Sequence, residues 1–147
     1  MLVDRIADAT VIDLFAGSGA LGLEALSRGA AVATFVELSE ACASILRRNL
    51  DDLAYGGRAR VIRGDAVRWL NGHPDEVAAA DIVFLDPPYA DASLDSALRE
   101  LDRLTVAGAV VVAEHARSRE LPEPVRLQRL TSRRYGDSAV TIFEAAA

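Results

Sequence analysis

The stretch that decides the fold is Val11-Ile12-Asp13-Leu14-Phe15-Ala16-Gly17-Ser18-Gly19-Ala20-Leu21-Gly22. Its first five residues predict a buried strand, and the apolar spacing that follows predicts a helix ending at Gly29. Glycines at the end of a strand let the backbone approach a ligand closely, and the N-terminus of the next helix offers free N–H groups. We therefore expect this strand, loop and helix to bind a ligand.

Strands and helices alternate along the rest of the sequence. Apolar runs predict further strands at residues 31–36, 60–64, 80–85, 108–113, 125–130 and 139–143. Helical spacing predicts helices over 39–53 and 94–104 and a helical turn at Trp69-Leu70, with a loop beginning at His73-Pro74. Such alternation predicts one α/β domain over 1–147, with a mostly parallel, Rossmann-like, seven-stranded sheet, a C-terminal antiparallel hairpin and helices on both faces.

The composition limits the class of protein. No apolar run approaches the roughly 18 residues that span a bilayer, and we expect a cytoplasmic protein with no membrane segment. The formal net charge of −6 argues against a chain that binds nucleic acid over its whole surface. The sequence contains no lysine, and six of its arginines gather between residues 117 and 134. There a solvated face is the default interpretation, and a local binding patch is the alternative.

The single cysteine excludes an internal disulfide and a cysteine-based metal cluster. Cys42 falls in an apolar stripe of a predicted helix, and we expect it to be a small buried side chain. The members of that stripe are Cys42, Ile45, Leu46, Asn49 and Leu53.

Polar residues follow the first four predicted strands. Asp13 and the loop Gly17 to Gly19 end the first strand, Glu37 the second, Asp65 the third and Asp86 the fourth. In such sheets ligands bind beyond the carboxyl ends of the strands, so these residues are expected to form one site. Glu37 lies about twenty residues after the first glycine, a spacing that places a carboxylate to accept both hydroxyls of a ribose.

The segment that follows the fourth predicted strand, Asp86-Pro87-Pro88-Tyr89, combines three chemical features. Two prolines lack N–H donors and restrict the direction of the neighbouring carbonyls. A carboxylate precedes them and an aromatic ring follows, so the turn offers two acceptors and a stacking face to a planar amine, such as the exocyclic amino group of a nucleobase. A proline-rich turn that caps a buried strand is the alternative interpretation.

These motifs resemble those of the class I S-adenosylmethionine-dependent methyltransferases over essentially the whole chain. The nearest family is the RsmD family, bacterial enzymes that methylate the exocyclic N2 of a guanine in small-subunit (16S) ribosomal RNA. The glycine motif at residues 12–22, Phe35-Val36-Glu37, Gly64-Asp65-Ala66 and Asp86-Pro87-Pro88-Tyr89 carry the resemblance, and Arg134-Tyr135-Gly136-Asp137 is similar to the start of the closing hairpin.

The resemblance implies S-adenosylmethionine as the cofactor and no metal. It implies that Asp86 and the Pro87 carbonyl accept hydrogen bonds from the target amine, while Tyr89 stacks on the base, with Pro88 and Arg134 as further substrate contacts. Asp86 would also border the cofactor. The implied cofactor contacts lie along the methionine part, at the ribose and at the adenine edge, and they are Asp13, Ala16, Gly17, Ser18, Gly19, Glu37, Leu38, Asp65 and Ala66.

The resemblance also implies a binding partner, and the sequence departs from the pattern of the family in one respect. The partner would be 16S rRNA, within a partly assembled small subunit because the chain is acidic, and we expect a monomer. Family members carry a basic segment and a helix ahead of the first strand, whereas only a short segment precedes it here. The apolar residues Met1, Leu2, Val3 and Ile6 suggest that Met1 lies inside that helix and that translation starts further upstream.

Other functions stay open on the sequence alone. Gly17-x-Gly19-x-x-Gly22 followed by Glu37 also matches the dinucleotide fingerprint of nicotinamide-dependent oxidoreductases. Within methyltransferases, the fourth motif also suits adenine N6 or cytosine N4 in DNA, or a protein side-chain amide. A relative that binds the cofactor or a partner without transferring a methyl group is a further alternative.

Overall fold

A computed structural model describes residues 3–88 and 92–147. The strands are β1 (Thr10–Leu14), β2 (Val32–Glu37), β3 (Ala59–Arg63), β4 (Ile82–Leu85), β5 (Val110–Ala116), β6 (Leu127–Tyr135) and β7 (Ser138–Ala145). The helices are α1 (Val3–Ile6), α2 (Ala20–Ser27), α3 (Glu40–Asp52), α4 (Ala66–Gly72), α5 (Pro74–Ala79) and α6 (Ser93–Leu104), with a 3₁₀ turn at Gly56–Arg58. Within this part of the chain no helix is long and apolar enough to cross a membrane.

The strands form one sheet in the order β3-β2-β1-β4-β5-β7-β6. The pairs β1–β2, β2–β3, β1–β4 and β4–β5 are parallel, whereas β7 pairs antiparallel with both β5 and β6. Because β7 runs against both neighbours, β6 points in the same direction as β1 to β5. The predicted sheet with its C-terminal hairpin is confirmed, and the carboxyl ends of six strands lie along one edge.

Successive residues of each central strand pack on opposite faces of the sheet. Leu14 and Leu85 join the core under α4, α5 and α6, while Val11 and Ile82 join the core under α2 and α3. These positions are 0–1% exposed, so both faces of the central strands are covered. This explains why the strands are continuous apolar runs instead of alternating ones, and it confirms helices on both faces.

The stripe that helix α3 buries differs from the predicted one. Its buried residues are Ala43, Leu46 and Leu50, whereas Ile45 and Leu53 are 49% and 50% exposed. Cys42 is half-buried, so the prediction of a buried cysteine is wrong. Both stripes have helical spacing, and the one that carries two leucines and an alanine faces the sheet because it buries more apolar surface without the polar Asn49.

The loop predicted at His73-Pro74 is also wrong, because Pro74 begins helix α5. Proline is tolerated at the first helical position, where its missing N–H would have no partner in any case. His73 stacks on Trp69 with ring centroids 4.7 Å apart, and its Nδ1 lies 2.8 Å from Trp69 O. The short segment 66–79 is therefore two consecutive helices that pack against α6.

The C-terminal hairpin is fixed to α6 at its start. The Asp102 carboxylate accepts hydrogen bonds from the backbone N–H groups of Val125, Arg126 and Leu127 at 2.7–3.1 Å. Further along, the β6–β7 pairing is irregular between Arg129 and Thr131. The hairpin is longer than predicted because pairing with β7 continues to Tyr135, well beyond the apolar part of β6.

Candidate active site

The carboxyl ends of β1 to β4 surround a cavity of about 780 Å³, here named the main cavity. Its volume lies within the range of small-molecule sites. The structure places on its wall many of the residues that follow the strands in the sequence. They are Asp13, Ala16, Gly17, Ser18, Glu37, Leu38, Asp65, Ala66, Asp86, Pro87 and Pro88, together with Phe15, Ala20, Leu21, Val36, Ser39, Cys42, Gly64 and Ser93.

The glycine loop is shaped by backbone conformation and by packing. Gly17 and Gly19 have φ of +59° and +89°, in the left-handed region that side chains disfavour. A Cβ at Gly17 would meet nothing within 4 Å, so the loop leaves open space on that side. At Gly22 a Cβ would lie 2.3 Å from the Phe35 ring, so only glycine lets α2 pack this closely on the sheet.

Glu37 connects the glycine loop to the start of α3. Its Oε1 accepts a hydrogen bond from the Gly17 N–H at 2.8 Å, and its Oε2 accepts one from the Ser39 N–H at 2.7 Å. A carboxylate has about four acceptor positions, so capacity remains on both oxygens. Glu37 can therefore hold the loop and still accept hydroxyl groups of a ligand in the main cavity.

Asp13 lies beneath the loop and is 1% exposed. Its Oδ2 accepts a hydrogen bond from the Gly22 N–H at 3.0 Å, inside the first turn of α2. The pKa of Asp13 is raised to about 8, mainly by burial; the Gly22 hydrogen bond lowers it, and the charges of Asp86 and Glu37 raise it. The carboxyl group is therefore mostly protonated at neutral pH when the cavity holds no cation.

Asp86 lies on the cavity wall directly after β4 and is half-buried, with the buried Pro87 next to it. Burial and, to a lesser extent, the charge of Glu114 raise the pKa of Asp86 to about 6. Glu114 follows Ala113, the residue that pairs with Leu85 across β4 and β5, so the two carboxylates lie on neighbouring strands. Asp86 is therefore an ionised acceptor only above about pH 6.

Asp65 and Leu38 form the far side of the cavity. Asp65 caps helix α4, where its Oδ2 accepts a hydrogen bond from the Arg68 N–H at 2.9 Å, and the following Ala66 is buried. Leu38 is 61% exposed although it is a large apolar side chain. An exposed leucine beside an acidic cap offers one flat apolar contact and one hydrogen-bond acceptor, a combination that suits an aromatic ring with an amino group.

Two of the predicted site residues that the structure describes are not on this wall. Gly19 is absent from it because it caps α2, and a Cβ there would lie 2.3 Å from Leu46. Arg134 is an exposed residue of β6 and lines a different cleft. Tyr89 lies outside the described residues.

Sequence reasoning also missed some residues of the wall. Phe15 has φ of +59°, which is rare for a bulky residue and costs on the order of 1–3 kcal/mol, and such strain clusters at functional sites. No sequence pattern reveals it. Asn49 is not one of the residues of the wall; its side chain donates a hydrogen bond to Ser18 O at 3.3 Å and so supports the loop from α3.

The main cavity therefore suits a cationic ligand with a ribose and a flat ring. Among the described residues, four carboxyl groups line it, from Asp13, Glu37, Asp65 and Asp86, and no arginine does. S-adenosylmethionine carries a sulfonium cation, a ribose and an adenine, and it fits both the volume and these donors and acceptors.

The sheet order and the glycine loop define the class. A dinucleotide-binding Rossmann sheet has the strand order 3-2-1-4-5-6, whereas here an antiparallel β7 lies between β5 and β6. This is the sheet of a class I methyltransferase domain. An RNA methyltransferase from Salinibacter ruber, solved in complex with S-adenosyl-L-homocysteine, shares that fold, with a TM-score of 0.72 and 17% identity over 99% of this chain and 90% of the other.

The chain belongs to the family described as "Conserved hypothetical protein 95", whose model matches residues 1–144. It is 44% identical to the ribosomal RNA small subunit methyltransferase D of Escherichia coli (strain K12) over 69% of this chain and 49% of that protein. It is 38% identical to YlbH of Bacillus subtilis (strain 168), named as a candidate rRNA methyltransferase, over 90% of this chain and 74% of YlbH. The resemblance to the RsmD family is thus confirmed, and the protein is an enzyme of the methyltransferase class.

A solved structure supports the same family. The protein from Escherichia coli described as a candidate methyltransferase, YhhF, has a TM-score of 0.87 and 34% identity, over 99% of this chain and 81% of that chain. The match to the methyltransferase D of Escherichia coli spans about half of that protein's length. Membership of this family argues against the oxidoreductase alternative, which rested on the glycine spacing and on Glu37.

Proposed function

We propose that the protein transfers a methyl group from S-adenosylmethionine to the exocyclic N2 amine of a guanine in 16S rRNA. The observation that carries this proposal is the position of Asp86 and Pro87 on the wall of the same cavity as the glycine loop and Glu37. A methyl donor in that cavity and an amine held by Asp86 would be neighbours. The small-subunit rRNA specificity in the names of the relatives supports the choice of substrate.

The cofactor is proposed to lie across the carboxyl ends of β1 to β3. Glu37 would accept the ribose hydroxyls with the lone pairs that its two backbone hydrogen bonds leave over. Asp65, the Ala66 backbone and Leu38 would contact the adenine. The methionine part would lie along the loop, where the residues concerned are Ala16, Gly17, Ser18 and Gly19, the last by shaping the loop, with Asp13 beneath them.

The chemistry asks little of the protein beyond alignment. Bound S-adenosylmethionine supplies a methyl group already activated by its sulfonium. Asp86 and the Pro87 carbonyl accept hydrogen bonds from the two N–H groups of the target amine, which favours a pyramidal nitrogen whose lone pair is less delocalised into the base. Tyr89 is proposed to stack on the base beside Pro88. Holding two reactants in line can account for about 7–11 kcal/mol of a barrier.

The ionisation of Asp86 fits this role. Its pKa of about 6 leaves it charged at neutral pH yet close enough to that pH to share a proton with the methylated amine. Whether the proton leaves through Asp86 or through water is tested by the pH dependence of the rate.

The test is transfer of labelled methyl from S-adenosylmethionine to small subunits from a strain that lacks the modification, followed by nucleoside mass analysis. Asp86→Ala serves as the loss variant, and Asp52→Ala, an exposed carboxylate of α3, serves as the matched control. We expect N2-methylguanosine with the wild type and the control, and none with Asp86→Ala.

Other results would overturn the proposal. A methylated adenine or cytosine would move the target to another planar amine, and methyl incorporated into protein would indicate a side-chain amide. Binding of the cofactor without transfer to any of these would identify a non-catalytic relative.

The physical form of the substrate is part of the proposal. The net charge of −6 weakens binding to bare RNA, and basic ribosomal proteins on a partly assembled subunit would reduce the repulsion. We propose that the protein acts on this form as a monomer in the cytoplasm. Equal rates on protein-free RNA and on subunits would contradict the preference, and sedimentation of the free protein reports the oligomeric state.

A further inference from the structure

The arginines of this chain divide into two groups. Most are held by carboxylates or by backbone carbonyls; for example, Arg63 pairs with Glu40 at 3.0 Å, and Arg58 donates to Leu26 O and Ala30 O at 2.7 Å. Within residues 3–88 and 92–147, the arginines with neither an ion pair nor a side-chain hydrogen bond are Arg48, Arg68, Arg99, Arg117, Arg129, Arg133 and Arg134.

Three of these uncommitted arginines line one cleft. The arginine cleft, defined by Arg117, Arg129 and Arg134, has a volume of about 450 Å³ and lies between the segment after β5 and strand β6. Arg119 also lines it but is engaged by Asp95 at 2.8 Å, and Glu120 and Glu123 are its two acidic members. A place where arginines outnumber carboxylates is unusual in a chain with a net charge of −6.

Strand pairing puts the side chains of the cleft on one face. Arg129, Ser132 and Arg134 pair with Phe143, Thr141 and Ala139 of β7, which alternate along that strand. Alternate residues of a strand share a face, so the two arginines project from the same side of the sheet as Phe143, which belongs to the core under α6.

The floor of the cleft is polar and satisfied internally. His115 Nδ1 lies 2.9 Å from Ala116 O, which can only accept, so in the neutral ring Nε2 is the acceptor. Thr141 Oγ1, 2.8 Å away, then donates to Nε2, and Ser132 Oγ donates to Thr141 Oγ1 at 3.1 Å. The polar groups of the floor are thus hydrogen-bonded to one another, and the arginines remain as the donors available to a ligand.

The cleft opens at the same edge of the sheet as Asp86. Because β6 runs parallel to β4 and β5, Arg134 near its end lies at the carboxyl edge. From β4 the order is β5, β7, β6, and three strand spacings amount to about 14 Å. The end of β5 joins the two places, since Glu114 acts on the charge of Asp86 and the next residue, His115, lines the cleft.

We propose that the arginine cleft binds the sugar–phosphate backbone of the RNA strand whose base is presented to Asp86. This inference rests on the proposed function. The main cavity is lined by carboxylates and repels phosphate, so a polyanionic substrate needs its contacts elsewhere. Guanidinium groups are the side chains best suited to phosphate oxygens, because they offer a planar fork of donors. The cleft supplies three that no carboxylate in the described chain occupies.

The experiment compares two charge reversals in the full chain. Arg134→Glu removes a cleft arginine. Arg48→Glu removes an arginine of α3 that is also exposed and, among the described residues, also has no ion pair or side-chain hydrogen bond, and α3 packs on the opposite face of the sheet. Both change the net charge by the same amount. The probe is a short single-stranded RNA of mixed sequence, with its affinity followed by fluorescence anisotropy over a range of salt concentrations in the presence of S-adenosyl-L-homocysteine.

We expect Arg134→Glu to weaken RNA binding on the order of tenfold and to lower the slope of log affinity against log salt by about 1. Arg48→Glu is expected to change the affinity less than about twofold. Glu120→Gln, which removes an acid from the cleft, is expected to strengthen binding. Equal unfolding temperatures and equal affinities for S-adenosyl-L-homocysteine show that the variants keep the fold and the main cavity.

Several results would overturn the inference. These are equal losses in Arg134→Glu and Arg48→Glu, no RNA binding by the wild type, or binding of polyglutamate as tight as that of RNA through the same arginine. The proposed function fails separately, if the wild type transfers no methyl group to small subunits although it binds RNA through the cleft.

Discussion

One edge of the sheet carries two regions of opposite chemistry. The ends of β1 to β4 bring together the carboxyl groups of Asp13, Glu37, Asp65 and Asp86, whereas the ends of β5 and β6 carry uncommitted arginines. The first region is held rigidly by backbone hydrogen bonds to its acids, and in the second the side chains extend from an exposed strand. Under the proposed function, this difference is a division of labour, in which a cationic cofactor and a polyanionic substrate are attracted to separate places.

The largest effect that would separate the two regions is expected at Asp86. Asp86→Asn keeps the size of the side chain but removes its charge, and we expect kcat to fall on the order of a thousandfold. The affinity for S-adenosyl-L-homocysteine and for RNA should change little, because neither depends on that charge alone. Single-turnover methyl transfer measures the rate, and a matching loss in Asp52→Ala would show that the effect is not specific to the site.

The next largest effect is expected on the free energy of unfolding, which the burial of Asp13 lowers. Its folded-state pKa of about 8 lies above the unfolded value of 3.8, so the folded protein binds the extra proton and loses stability as pH rises between these values. Relative to Asp13→Asn, the wild type should lose about 1.4 kcal/mol per pH unit within that window. This is about a hundredfold in the folding constant over two units. Urea unfolding at several pH values provides the measurement, and a constant difference between the two proteins would contradict the assignment.

A smaller effect is expected in the preference for a cationic ligand. S-adenosylmethionine carries a sulfonium charge that S-adenosyl-L-homocysteine lacks, and ionised Asp13 and Asp86 favour it. Asp13, with a pKa of about 8, stays mostly protonated over this range, whereas Asp86, with a pKa of about 6, becomes ionised, so the affinity ratio of the two ligands should rise on the order of tenfold between pH 5 and 7. Calorimetry in buffers of different ionisation enthalpy counts the protons released. A ratio independent of pH would show that the carboxylates do not face the sulfonium.

The smallest effect is expected where the two regions meet. Glu114→Gln removes the charge that adds to burial in raising the pKa of Asp86, so the acid limb of the pH–rate profile should move to lower pH. At pH 5.5 the variant should be a few times faster than the wild type, with equal rates above pH 8. A variant slower at every pH would instead assign Glu114 a direct role in binding.

Local patterns were sufficient to predict most of the fold. The glycine loop, the apolar strands and the acid after each strand are short-range features, and the sheet topology follows from the alternation of elements. Helix α5 was missed because Pro74 was interpreted as a breaker when it is the first residue of a helix. The buried stripe of α3 was predicted correctly only at Leu46. Two helical stripes compete, and only packing on the sheet selects Ala43 and Leu50.

The features that sequence did not predict depend on long-range pairing. Glu114 is a neighbour of Asp86 only because β5 pairs with β4 in that register. The arginines between residues 117 and 134 look alike in the sequence, yet Arg119 and Arg126 are engaged by Asp95 and by backbone carbonyls, while Arg117 and Arg134 are not. No sequence pattern around Phe15 predicts its left-handed backbone conformation.

Strand β5 limits which sequence changes the protein can tolerate during evolution. Neighbouring residues of a strand point to opposite faces, and here Glu114 acts on Asp86 while His115 forms part of the floor of the arginine cleft. Insertion or deletion of one residue in β5 would exchange the two side chains and damage both places at once. A substitution, by contrast, alters either the surroundings of Asp86 or the arginine cleft. Point substitutions in the hairpin can therefore change which RNA the cleft binds, while the length of β5 stays constant.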